Sequence, residues 1–185
     1  MKILATLLTS LLFAGGVGAA ELSRLVAEKS SITFVSKQMG VPVHGSFRKF
    51  DAQIRVDPAK PEAGTAKIEV DLASIDAGSN EASGEVKGKQ WFNTGAFPKA
   101  SFVSAGVKPL GGGRYEAHGP LTIKGISRDT VIAFTLRSEA NSVSIEGGFA
   151  LPRLQFRIGE GMWSDTSTVA DEVQVKFKLL LSPQK

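Results

Sequence analysis

From residue 31 onward, apolar side chains recur at every second position, the spacing that sends successive side chains to opposite faces of an extended strand. Ile68, Val70 and Leu72 share a face opposite Lys67, Glu69 and Asp71. Val173, Val175, Phe177 and Leu179 likewise oppose Glu172, Gln174, Lys176 and Lys178. Each reads as a half-buried strand, apolar inward and charged outward. The pattern returns through Tyr115, Ala117, Gly119, Leu121 and Ile123, through Ile132, Phe134 and Leu136, and through Val143, Ile145, Gly147, Phe149 and Leu151. Residues 111–113, 124–128 and 140–142 are short, glycine-bearing or polar connections of the kind hairpins use, so the second half is expected to be a meander.

Two segments depart from simple alternation. Across residues 41–57 the apolar parity changes from odd (Val41, Val43, Phe47) to even (Phe50, Ala52, Ile54, Val56). A bulge near Arg48 and Lys49 and a strand apolar on both faces explain this equally well. Between residues 79 and 92, Glu81, Ala82, Glu85, Val86 and Lys89 fit a short helix ending in Trp91 and Phe92, weakened by Gly84 and Gly88. Its apolar residues have rough helical spacing, suited to covering one end of a barrel. The extended segments number about eight, enough for a sandwich or a barrel, and periodicity does not choose between them. The charged outer stripes, with only two Trp and one Tyr to form girdles, favour a soluble barrel over an outer-membrane one.

The N-terminus has the order of a secretory signal peptide: Lys2, an apolar run over residues 3–13, then small residues through Ala20. The run is shorter than the ~20 residues a spanning helix needs. Gly18 and Ala20 place small side chains at minus three and minus one, so cleavage is expected between Ala20 and Glu21. Residues 21–185 are then one domain delivered to the periplasm. There is no cysteine, so neither a disulfide nor a lipidated N-terminal cysteine is available. The domain must stand on its hydrophobic core, for which about 165 residues suffice. The formal charge of +4 is spread along the chain, which argues against nucleic acid and is compatible with transient contact with an anionic membrane surface.

Catalytic groups are scarce. The two histidines, His44 and His118, each precede a glycine within a strand pattern, and no Gly-x-Ser-x-Gly elbow occurs. The histidines with a carboxylate such as Asp51 are the one conceivable metal set, and outward-facing strand histidines are the plainer account. Residues 159–161 lack the Lys-Ser or Lys-Thr of a phosphate loop and are expected to shape a loop that places Met162 and Trp163. Adjacent Asp171 and Glu172 point to opposite faces of a strand and read as structural. Eleven Phe against one Tyr mean large apolar surface with few polar handles. Core packing accounts for any single ring, but the whole set would overfill a small barrel unless some line a cavity or sit under loops. A long lipid suits such a cavity, since each methylene removed from water contributes ~0.8 kcal/mol.

Residues 31–34 (Ser-Ile-Thr-Phe), 43–47 (Val-His-Gly-Ser-Phe) with Phe50 and Ile54, and Trp91-Phe92 with 97–102 (Phe-Pro-Lys-Ala-Ser-Phe) form an ordered series. It continues through 119–125 (Gly-Pro-Leu-Thr-Ile-Lys-Gly), 159–165 (Gly-Glu-Gly-Met-Trp-Ser-Asp) and 169–173 (Val-Ala-Asp-Glu-Val). In this order the chain resembles the YceI family of exported, lipocalin-like proteins that bind polyisoprenoid lipids. The resemblance implies an all-β fold, an extended eight-stranded antiparallel barrel with a short helix between strands, whose pore holds an isoprenoid quinone or a polyprenyl phosphate. Trp91-Phe92 and the Gly-Met-Trp loop are similar to the branch associated with membrane proteins of the cytochrome b561 type, which points to a ubiquinone-type quinone. The chain departs from many relatives at Phe156-Arg157-Ile158-Gly159 and at Gly84 and Gly88. The family offers no catalytic residues to carry over, so the site is read as the aromatic and apolar set Phe34, Phe47, Phe50, Trp91, Phe97, Phe102, Leu121, Phe134, Phe149 and Trp163, lining or closing the cavity. The function expected is a non-enzymatic carrier. An accessory subunit supplying quinone to a cytochrome b561-type protein is the alternative, an enzyme using His44 and His118 a weaker one, and monomer and homodimer are both open.

Overall fold

A computed structural model describes residues 22–139 and 141–183. The expected signal peptide over residues 1–20 lies outside them, as does Ala140 of the expected 140–142 turn. The strands are β1 (Leu22–Leu25), β2 (Ser31–Gln38), β3 (Val41–Phe47), β4 (Phe50–Arg55), β5 (Thr65–Asp71), β6 (Ile75–Asp76), β7 (Lys99–Val103), β8 (Gly106–Gly111), β9 (Arg114–Ile123), β10 (Ile126–Glu139), β11 (Ser142–Pro152) and β12 (Glu172–Pro183). All pair antiparallel in one sheet of order β4-β5-β7-β9-β10-β11-β12-β2-β3-β6, with β1 added to β12 and β8 to β9. The sheet curls into a half-barrel with its apolar stripes inward.

The expected meander is β9 to β12, side by side in chain order. Its first turn is two residues long: Lys124 and Gly125, both at positive φ, join Ile123 to its partner Ile126. The C-terminal strand then pairs with the N-terminal part of the chain, Gln174 opposite Val35 through Lys178 opposite Ser31. Two expectations about the sheet need correction. Among the described residues twelve strands replace eight, because pieces as short as Ile75–Asp76 leave no readable alternation. The main-chain ladder also runs from β4 to β6 without joining its ends, so it is not a closed eight-stranded barrel; β1 packs beside β4 at one edge.

The parity change at Arg48 and Lys49 is neither a bulge nor a strand apolar on both faces. It is a corner where the chain changes partners: β3 pairs with β2 and β6, β4 with β5. Arg48 N–H donates to Ser74 O (3.2 Å) and Lys49 N–H to Ser74 Oγ (3.0 Å), fixing the turn. The helix is also shorter than residues 79–92. It is α1 (Asn80–Glu85), capped by Ser79 Oγ accepting from Ala82 N–H at 3.1 Å, and Gly84 and Gly88 let it pass directly into turns.

Two buried clusters fill the ends of the sheet. One joins Leu72, Trp91, Phe102, Leu121, Leu151 and Phe156; the other joins Ile54, Val56, Val143, Ile145, Leu179 and Leu181. Gly147, which the sequence places on the inner stripe, is small for a reason. A Cβ there would meet the side chains of Phe134 and Phe177, its partners on the two neighbouring strands, at 2.8 and 2.7 Å.

Candidate functional site

Between these clusters lies a cavity of about 590 Å³, inside the range of small-molecule sites. Its wall is the inner stripe of nearly every strand: Ile32 and Phe34 of β2, Ile68 and Val70 of β5, Phe102 of β7, Leu121 of β9. On β12 the wall runs from Val173 to Leu179, which at ~3.3 Å per residue is about 20 Å. The wall reaches exposed residues at two places, Gln38 with Glu81 and Glu85 of α1, and Arg55 with Thr65. Near α1 an aromatic file runs from Phe34 to Phe47 (centroids 5.7 Å apart) and on to Phe92 (6.2 Å, edge-on).

The wall at this end is anchored by one buried cation. The odd-numbered stripe of β11 continues past Leu151 to Arg153, which is 1 % exposed. Its five N–H groups all find main-chain acceptors: Nε to Ala170 O (3.0 Å), Nη1 to Ile158 O (2.8 Å) and Gly159 O (3.1 Å), Nη2 to Trp163 O (2.7 Å) and Val169 O (2.6 Å). Burial pushes the guanidinium below its ordinary value, and Asp171 pulls it back up. Asp171 also braces the anchor, its Oδ1 accepting from Leu154 N–H at 2.8 Å. Gly159 must be glycine twice over, since it sits at φ +80° and a Cβ would collide with Arg153 Nη1. Arg153 Cζ lies 5.7 Å from the Trp91 ring centroid, and Trp91 packs on Trp163 at 5.4 Å. Trp163 Nε1 donates to Glu85 Oε1 (3.2 Å), tying the loop to α1. Trp91 Nε1 is buried without an acceptor.

A second anchor places a titratable ion pair in the loop. Lys124 Nζ donates to Lys89 O (3.1 Å), Arg157 O (2.8 Å) and Glu160 Oε2 (2.7 Å), while Arg157 holds the other Glu160 oxygen. Lys124 first, then Arg157, lowers the Glu160 pKa below its ordinary 4.5. This contribution is complete above that value and is lost as pH falls through the lowered one. The Ser167 hydroxyl and N–H lower Asp165 in the same loop, with the same sign. Tryptophan fluorescence is expected to show the loop loosening as pH falls through these lowered values. Glu160→Gln should look loosened at neutral pH already and show a smaller acid step.

The family model described as the YceI-like domain matches residues 24–181. The chain belongs to this family. A relative, a UPF0312 protein of Azotobacter vinelandii, is 28% identical over 171 residues, 86% of this chain and 87% of the relative. Among solved structures, Burkholderia cenocepacia BcnA superposes with a TM-score of 0.83 at 41% identity, covering 85% of this chain and 99% of BcnA. A polyisoprenoid binding domain from Saccharophagus degradans implicated in plant cell wall breakdown superposes at 0.65 and 16% identity, covering 90% and 99% of the two chains, a likeness of fold.

Within this YceI-like framework, eight of the ten residues read from the sequence stand in the cavity wall: Phe34, Phe47, Trp91, Phe102, Leu121, Phe134, Phe149 and Trp163. Phe50 and Phe97 are outside it. Phe50 follows the corner and packs on the second cluster; Phe97 lies over the β9–β10 turn, where a Cβ on Gly125 would meet its ring at 2.9 Å. His44 and His118 are exposed and absent from the wall, and the described residues contain no group of three His, Cys, Asp or Glu suited to a metal. The residue the sequence reading missed is Arg153. Its signal was parity, an arginine where the next inward apolar residue belongs.

Proposed function

We propose that the chain is a periplasmic carrier for an isoprenoid lipid, held by its chain in the half-barrel and by its headgroup near α1. The observation that carries this reading is a continuous apolar wall about 20 Å long. An extended isoprene unit covers about 5 Å of carbon chain, so the wall takes roughly four units, and a longer chain folds back or protrudes. Five carbons per unit at ~0.8 kcal/mol give roughly 4 kcal/mol of gross transfer energy, reduced by the cost of ordering the chain. The relative from Saccharophagus degradans, a polyisoprenoid binding domain, supports the ligand class.

A quinone suits the α1 end better than a phosphate. Glu81 and Glu85 put acidic charge there, and Arg153 has no N–H left for an anion. We therefore favour a ubiquinone-type headgroup, with delivery to a membrane protein of the cytochrome b561 type as the step beyond, which co-purification would test. The exposed outward histidines leave the enzyme reading without its motive, so binding is the activity proposed.

Titrating lipid-free protein with ubiquinones of increasing chain length should quench Trp91 and Trp163 and raise affinity up to about four isoprene units; a response independent of chain length would count against the chain-held mode. Removing bound lipid should also lower the melting temperature. At ~24 cal/mol per Å³, leaving a third of the cavity empty forfeits roughly 5 kcal/mol, or about 10 °C or more for a domain of this size. Calorimetry before and after extraction measures it.

A further inference from the structure

At the end of the half-barrel that carries the Arg153 loop, three large apolar side chains face solvent: Met39 (73 % exposed), Val41 (63 %) and Met162 (74 %). Val41 extends the cavity wall outward, and Met39 and Met162 stand on the two loops at its edge. Val41 is on the same face of β3 as Val43 and Phe47, which line the cavity, and Met162 immediately precedes Trp163, which lines it too. The stripe gives an apolar chain leaving the cavity a path beside the exposed Gln38, Glu81 and Glu85 of the same mouth.

The bearing elements are tied into one rim. Met39 N–H donates to Thr168 O (2.8 Å), Ala170 N–H donates to Lys37 O (2.9 Å), and Gln38 bridges Val169. The loop bearing Met162 is the one gripped by Arg153 and Lys124. Exposed Lys37 and Lys89 flank the two tips, Lys89 adjoining Gln90, whose carbonyl accepts from Gly159 and Glu160 N–H. The other exposed large apolar residues, Val103, Leu110 and Val131, fall one each on β7, β8 and β10, the scattered arrangement that needs no partner.

We propose that this rim docks on a lipid bilayer through its apolar tips, with Met39, Val41 and Met162 inserted below the headgroups and the Val41–Val43–Phe47 stripe leading the lipid chain between bilayer and cavity. It rests on the reading that the cavity carries a lipid chain. Exposed methionines and a valine at the open end of an apolar wall have the composition of a surface that partitions shallowly into an interface through apolar area, the Lys37 and Lys89 charges being offset by Glu81 and Glu85 at the same mouth.

The test is flotation of the full mature protein with vesicles of phosphatidylethanolamine and phosphatidylglycerol. The triple variant Met39→Ser, Val41→Ser, Met162→Ser should partition about tenfold more weakly or less still, with little dependence on salt. The control Val103→Ser, Val131→Ser, at residues also exposed (43 % and 58 %) but away from the rim, should float like the wild type. Docking is overturned if the wild type does not float, if the triple variant floats as well as it does, or if both variants lose binding equally. It is also overturned if the rim substitutions only convert a dimer to a monomer. Organic extraction of the same samples separates the two readings: protein that floats but never carries prenyl lipid removes the carrier function and leaves docking, whereas lipid-loaded protein that does not float removes docking alone.

Discussion

Arg153→Met should unfold in urea with a stability lowered by about 4 kcal/mol or more, the largest effect expected of any single substitution in the cavity wall. Methionine fills much of the stem's volume but leaves the carbonyls of Ile158, Gly159, Trp163, Val169 and Ala170 without their donor. Each buried acceptor so stranded costs roughly 1–3 kcal/mol unless water reaches it. Arg153→Lys keeps the charge but has three donors on a point cation and cannot span a five-acceptor fork. It should fall between the two, at about half the methionine loss. Trp163 fluorescence gives the readout that separates loop release from global unfolding. The loop's grip on Trp91 should fail first, because the five acceptors all lie between residues 158 and 170, whereas the β9–β12 meander does not depend on them.

Ile68→Asp should abolish lipid binding, by about 100-fold or more in affinity, while leaving the protein folded. Ile68 stands mid-wall on β5, between Ala52 of β4 and Phe102 of β7. A carboxylate there confronts the ligand chain with a group that must keep its water, at a cost of roughly 3 kcal/mol, and about 1.4 kcal/mol is a tenfold change. The cavity opens to solvent, so the empty lumen can hydrate the new group and the fold survives. Ile68→Ala, which only widens the cavity, should retain lipid. Chain-bearing quinone should discriminate the two by equilibrium titration; equal loss in both would mean that Ile68 acts through packing and not through the lumen.

These outcomes follow from features of unequal visibility in the sequence. The inward stripes were legible because a strand's side-chain period is fixed at two. Ile68 with Val70, and Val173 through Leu179, face the cavity as their alternation requires. The turn at Lys124 and Gly125 was legible for the same local reason. What alternation does not carry is which strand lies beside which. The pairing of β12 with β2 joins residues about 140 apart, and the corner at Arg48 and Lys49 is decided by contacts with Ser74. Sequence parity registered the corner as a change of face but not as a change of partner. Phe97 went astray because residues 93–98 have no period from which a face could be read, and Phe50 because it is the first residue after the corner. Arg153 lay in plain view as a charged residue on an apolar parity, its meaning fixed only by carbonyls up to 17 positions downstream.

The central claim, that the half-barrel carries an isoprenoid chain, is tested most directly by native mass spectrometry of the protein purified from its host without detergent. The expected spectrum shows the chain with one bound mass, released on activation and identified after organic extraction as a prenyl lipid, with a quinone headgroup favoured. Repeated recovery of an empty chain, or of phospholipid alone, would contradict it.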